Sequence, residues 1–177
     1  YTGEVERLTH DITSNLHPSW SPDGNFIVFS QEKINSAADS RKYTFNIAML
    51  AIKDRSVTEL NFFNGAYNMD PAFSNDGNSV FFLSDADGFR NMYRYDIESQ
   101  RVFRLTQYMT GISGITTYSP AISTALKSDL IVYNYYFNNR YRILAANQSE
   151  FRETEADGNN VNLEAGTLPP YDHVSVN

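Results

Sequence analysis

The chain has 177 residues, no cysteine and a formal net charge of −7, from 14 basic against 21 acidic side chains. Disulfides, thiolate chemistry and Cys-ligated zinc are thereby excluded, and with no basic run the acidic balance argues against a nucleic-acid partner, which needs clustered Lys and Arg. A 41% hydrophobic content is that of a folded chain rather than a disordered one, and no apolar run reaches the roughly 18 residues of a membrane span, so direct membrane insertion is not expected.

In chain order, Val5-Glu6-Arg7-Leu8 reads as a strand over 3–9, within a segment 1–10 that finishes a preceding blade. The unit 11–60 follows. A short strand at 19–21 enters the tight turn Ser21-Pro22-Asp23-Gly24, where Pro sets φ, Asp bonds the local backbone and Gly accepts positive φ. An apolar strand at 25–30, a polar loop at 31–43 and strands at 45–52 and 57–60 complete a four-stranded meander. The unit 61–105 repeats it with strands at 72–74, 79–84, 92–97 and 101–105 and the shorter loop Asp85-Ala86-Asp87-Gly88. A degenerate unit at 106–155 has strands at 121–123, 130–134 and 141–145 and a weak fourth at 150–154, and its turn at 124–129 lacks Gly. Residues 156–177 read as a linker or the start of a next element, and helix is expected almost nowhere.

These units are copies of one pattern. Pro18-Ser19-Trp20-Ser21-Pro22-Asp23-Gly24-Asn25 returns as Pro71-Ala72-Phe73-Ser74-Asn75-Asp76-Gly77-Asn78 and, eroded, as Pro120-Ala121-Ile122-Ser123. The prolines are 53 and then 49 residues apart, and the outer-strand frames ending at Leu8, Leu60, Leu105 and Thr154 advance with them. Short strands in a repeat a little above roughly 40–45 residues predict an all-β fold, a β-propeller of four-stranded antiparallel blades. Such rings close at about four to eight blades, so three are expected to be an incomplete portion of a larger ring, with the remainder of the same propeller as a partner.

The Pro-x-Trp-Ser-Pro-Asp-Gly-Asn motif, and Ser84-Asp85-Ala86-Asp87-Gly88 leading into Asn91-Met92-Tyr93-Arg94-Tyr95-Asp96, resemble the WD-repeat-like propeller of TolB-type proteins over residues 3–155. Related blades occur in the non-catalytic propellers of prolyl-oligopeptidase-type peptidases. The resemblance implies a periplasmic or cell-surface scaffold of a Gram-negative bacterium, binding a protein or peptide of the cell envelope. A chain rich in Tyr, Asn, Ser and Thr fits that exported setting.

In a propeller, loops from outer to next inner strand share a face with those joining the second and third strands, here 10–17, 31–44, 61–70, 85–90, 107–117 and 135–139. Aromatics on or beside this face (Phe63, Tyr67, Tyr108, Tyr118 and Tyr136) are candidate anchors, since rigid rings bury much area at small entropic cost. Their alternative role is to cap blade interfaces. His17 and Asp70 share the position before the recurring Pro, as Ser119 does, and either line a polar site near the axis or hold a neighbouring blade's backbone. Asp85, Asp87 and Asn91 around Gly88 read as a turn rather than a calcium loop. His10, His17 and His173 are too scattered for a metal site, and no cofactor is implied. No Gly-x-Ser-x-Gly elbow and no catalytic constellation is present. The reading is therefore a non-enzymatic interaction scaffold. Its rivals are an accessory, substrate-gating propeller of a prolyl-oligopeptidase-type hydrolase and a glycan-binding module.

Overall fold

A computed structural model describes residues 3–36 and 41–167. The first blade is β1 (Asn15–Trp20), β2 (Phe26–Ile34), β3 (Tyr43–Ala51) and β4 (Val57–Leu60), antiparallel and paired in chain order. The second is β5 (Asn68–Phe73), β6 (Ser79–Ser84), β7 (Asn91–Asp96) and β8 (Arg101–Arg104); the third is β9 (Ile122–Thr124), β10 (Leu130–Phe137) and β11 (Arg140–Asn147).

The repeated motif makes the same turn twice. Ser21 Oγ donates to Asp23 Oδ1 at 2.6 Å, and Asp23 accepts the Asn25 N–H at 3.0 Å, while Gly24 takes φ 72°. Ser74, Asp76, Asn78 and Gly77 reproduce this network with the same two distances and φ 76°. A second repeated device lies upstream. The β1–β2 register slips between Leu16 and Ser19, and the β5–β6 register between Met69 and Ala72. Inside these bulges His17 (φ 54°) and Asp70 (φ 57°) adopt the left-handed conformation, unfavourable for a non-glycine residue. Each bulge re-aims one side chain out of the strand's alternation.

The core lies mainly between blades. Ile47 and Leu60 of the first pack with Phe82 and Tyr93 of the second, and Val28 meets Phe73 and Val80. On the other side Phe81, Leu83 and Met92 pack with Ile122, Ile131 and Tyr133 of the third.

Three expectations fail. Residues 3–10 form no strand; Val5 is exposed, Arg7 bonds the Thr9 and Asp11 carbonyls, and Leu8 leans on the first blade. An outer strand needs a sheet to accept its hydrogen bonds, and the described residues supply none there. Second, a 3₁₀ turn at Gln148–Glu150 ends the third blade, and the final strand, β12 (Thr154–Ala156), pairs with β8 of the second blade. Ion pairs draw it there. Glu153 takes two hydrogen bonds of 2.7 Å from Arg94, and Glu155 pairs with Arg101. Third, 157–167 is no free linker. The Asn162 N–H donates to Ala86 O at 2.7 Å, and Val161 and Leu163 cover the cluster around Phe63 and Tyr93. The rest of the expected linker or next element, 168–177, lies outside the described residues.

Candidate interaction site on the loop face

The two bulge residues organise the axial end of this face. Asp70 is buried, and its Oδ2 accepts the Ala121 and Ile122 N–H groups at 2.6 and 2.9 Å. Its own N–H donates to Ser30 Oγ at 2.9 Å, so one residue ties all three blades. His17 Nε2 lies 2.7 Å from Tyr118 O and Nδ1 3.1 Å from Ser30 Oγ. A neutral ring protonated on Nε2 satisfies every partner: Nε2–H donates to the carbonyl, and Ser30 donates to Nδ1 while accepting from Asp70.

Beside this network opens a cleft of about 390 Å³ lined by Tyr67, Asp85, Arg90, Thr116, Thr117 and Tyr141. Asp85 accepts the Tyr67 N–H and Arg41 Nη1, each at 2.8 Å, and the Arg41 guanidinium sits 4.7 Å over the Tyr67 ring. Arg90 Nη1 donates to Thr117 O at 2.8 Å, whereas Nη2 is shielded from water with no partner among the described residues. Burial lowers the Arg90 pKa, and the charges of Asp70 and Asp85 oppose that shift. Gly111 packs so closely that an added Cβ would lie 3.1 Å from Arg90 O. On the cleft wall Tyr141 donates to Gly114 O at 3.0 Å, and Tyr118, which follows the lining residue Thr117 and is 52% exposed, meets Phe45 edge-on at 5.8 Å.

The structure therefore gathers four of the seven candidates, His17, Tyr67, Asp70 and Tyr118, around one axial region. Tyr136 is exposed on the β10–β11 hairpin, its ring 5.0 Å from that of Tyr141. Two others take the interface-capping role. Phe63 is 2% exposed against Tyr93 and Phe82, and Tyr108 bonds Tyr133 through its hydroxyl while packing on Tyr135. Their loops turn inward because each sits over an interblade cluster. Sequence reasoning missed Arg41, Arg90 and Tyr141. Asp85 does make the expected turn, its carbonyl accepting the Gly88 N–H at 2.9 Å, and its carboxylate meanwhile anchors Arg41. The Asp85-Ala86-Asp87-Gly88-Phe89-Arg90 run, two acids followed by a base across one turn, was the available signal. Among the described residues no group of three or more His, Asp or Glu side chains is placed to hold a metal.

No protein-family model matches the chain, and no curated protein matches it. Solved structures do. TolB from Acinetobacter baumannii aligns at 20% identity with a TM-score of 0.63, over 85% of this chain and 34% of that one. A protein from Agrobacterium tumefaciens assigned as TolB aligns at 20% identity and TM-score 0.58, over 84% of this chain and 50% of that one. Puromycin hydrolase aligns at 15% identity and TM-score 0.63, over 85% of this chain and 23% of that one. The chain thus spans from 23% to 50% of these structures' lengths. Identities this low define the fold alone: the described residues are three blades of a β-propeller, the fold shared by the TolB structures and puromycin hydrolase.

Proposed function

We propose that the chain is a non-enzymatic interaction scaffold of a Gram-negative cell envelope, periplasmic or surface-exposed, presenting its loop face to a protein or peptide. The observation that carries this is the assembly of the axial region from three blades. Asp70 fixes the blades to one another, Tyr67 and Tyr141 line a cleft with hydrogen-bonding groups at its wall, and the exposed Tyr118 directly follows its lining residue Thr117. Rigid aromatic anchors beside polar groups suit recognition of an extended segment, because little side-chain entropy remains to be lost. The likeness to TolB structures supports the envelope setting. A photo-crosslinking residue at Tyr118 should trap an envelope protein or peptide in cells, and one at the outer-edge Val57 should not; equal trapping at both would sink the proposal.

A second reading has one observation in its favour: puromycin hydrolase matches with the same TM-score as the first TolB. On that reading the blades gate or position substrate for a hydrolase domain. The gene's flanking sequence separates the two readings, since an adjoining α/β-hydrolase segment would favour the peptidase role.

A further inference from the structure

We infer that the loop-face cleft is a carboxylate subsite, with Arg90 as its cation, so that the segment recognised carries an acidic side chain or a free C-terminus. This rests on the interaction-scaffold reading and specifies its chemistry. Two of the neighbouring charges already have partners. Asp70 is held by two backbone N–H groups of the third blade. Asp85 is held by Arg41 and by the Tyr67 N–H. Arg90 is different: one nitrogen donates to a neutral carbonyl, that of Thr117, and Nη2 donates to nothing among the described residues although it is shielded from water.

A guanidinium stays charged in a protein, and a sequestered donor on a charged group is costly to leave unmade. Burial at this position, which depresses the Arg90 pKa, expresses the same cost. The surroundings fix the Arg90 backbone, from which the side chain reaches the cleft wall. Ile112 N–H donates to Arg90 O at 2.6 Å, and Gly111 leaves no room between the two backbones for a Cβ. Arg90 thus lines the cleft with Nη1 held only by the neutral Thr117 carbonyl, and the Tyr67 ring, braced by Arg41, stands on the same cleft; a carboxylate engages the fork as the guanidinium turns from that carbonyl toward it. An Arg fork matches the planar geometry of a carboxylate, which can take two donors at once. The group left unmet is the Nη2 donor, and a carboxylate oxygen meets it with a charge-assisted bond that a neutral acceptor makes more weakly and a cation cannot make. The negative charges of Asp70 and Asp85 lie close enough to influence Arg90, so an incoming carboxylate gains most when it meets Arg90 directly.

The test uses synthetic heptapeptide libraries in four arms: free C-terminus, amidated C-terminus, and amidated with a fixed central Glu or a fixed central Gln. Binding is read by fluorescence anisotropy against the full chain. The carboxylate arms should bind about tenfold or more tightly than their neutral counterparts. Arg90→Gln should erase that ratio, and Arg90→Lys should restore part of it. Preference for the free terminus alone, or for central Glu alone, identifies which source of carboxylate the cleft takes. Should Arg90→Gln fail to fold, wild-type chain titrated with sodium acetate against sodium chloride provides the second readout, in which Arg90 guanidinium resonances shift with acetate only. Equal binding in all arms, a ratio that survives Arg90→Gln, or an acetate-insensitive Arg90 would overturn the inference. Any of these, with Tyr118-dependent trapping intact, leaves the scaffold reading standing; loss of trapping alone sinks that reading instead.

Discussion

The second blade and its two neighbours are built from the same motif but differ in what covers them. Strands β5 and β6 are buried along their whole length, and no large apolar side chain between Asn68 and Arg104 is exposed. The first blade exposes Trp20 and the third exposes Phe137 and Ile143. Three residues at one repeat position make the point: Phe73 is 4% exposed and Ile122 8%, yet Trp20 is 59% exposed. Phe73 packs on Val28 of the preceding blade and Ile122 on the Phe81 cluster of its own predecessor. Trp20 has no preceding blade among the described residues. Burial here is a property of the neighbour, as expected where each repeat contacts only those beside it.

The largest test of that contrast is a pair of truncations. Phe82→Ala opens a cavity between the first two blades, against Phe62 and Tyr93, and should cost about 3–5 kcal/mol in denaturant unfolding. Trp20→Ala should cost about 1 kcal/mol or less, as a surface change does. If both cost the same, Trp20 is covered in solution and the contrast collapses. A smaller effect separates the two bulges. Asp70→Ala strips two buried N–H groups of their acceptor and should cost about 2–4 kcal/mol. His17→Ala at the equivalent, half-buried site should cost about 1 kcal/mol, read from the same unfolding curves.

Much of the fold was legible because its signals are local and repeated. The Ser-x-Asp-Gly turns carry their own hydrogen bonds, so strand positions on either side follow from the motif. What the sequence did not disclose was set by distant partners. Arg94 and Arg101 reach 59 and 54 residues ahead to Glu153 and Glu155, which moves the last strand from the third blade to the second. The candidate site divides along the same line. Asp70 and His17 were visible through the recurring proline. Arg90 was not, because its significance arises only when the 107–117 loop folds across it. Phe63 and Tyr108 misled because a loop aromatic looks alike in sequence whether it faces solvent or a blade seam.

The smallest expected effect tests whether the repeated turn contributes as its geometry implies. Asp76 has a pKa below the 3.8 of a free aspartate, chiefly because Ser74 donates to it, with the Asn78 N–H second. A carboxyl whose folded pKa is depressed stabilises the fold above its unfolded pKa, and that contribution disappears as pH falls through the folded value. Wild type should therefore exceed Asp76→Asn in stability at neutral pH, and the gap should close as pH drops below 3.8. Asp23 in the first blade has the same depression from Ser21 and should behave alike. In the third blade the hairpin is closed by the Ala125 N–H to Leu130 O bond at 2.9 Å, with no such serine–aspartate pair among the described residues. Lys127→Ala in that turn should consequently leave the pH dependence unchanged. Stability curves of wild type and Asp76→Asn that run parallel into acid would mean the turn is held by its backbone alone, and that the motif's aspartate contributes nothing through its charge.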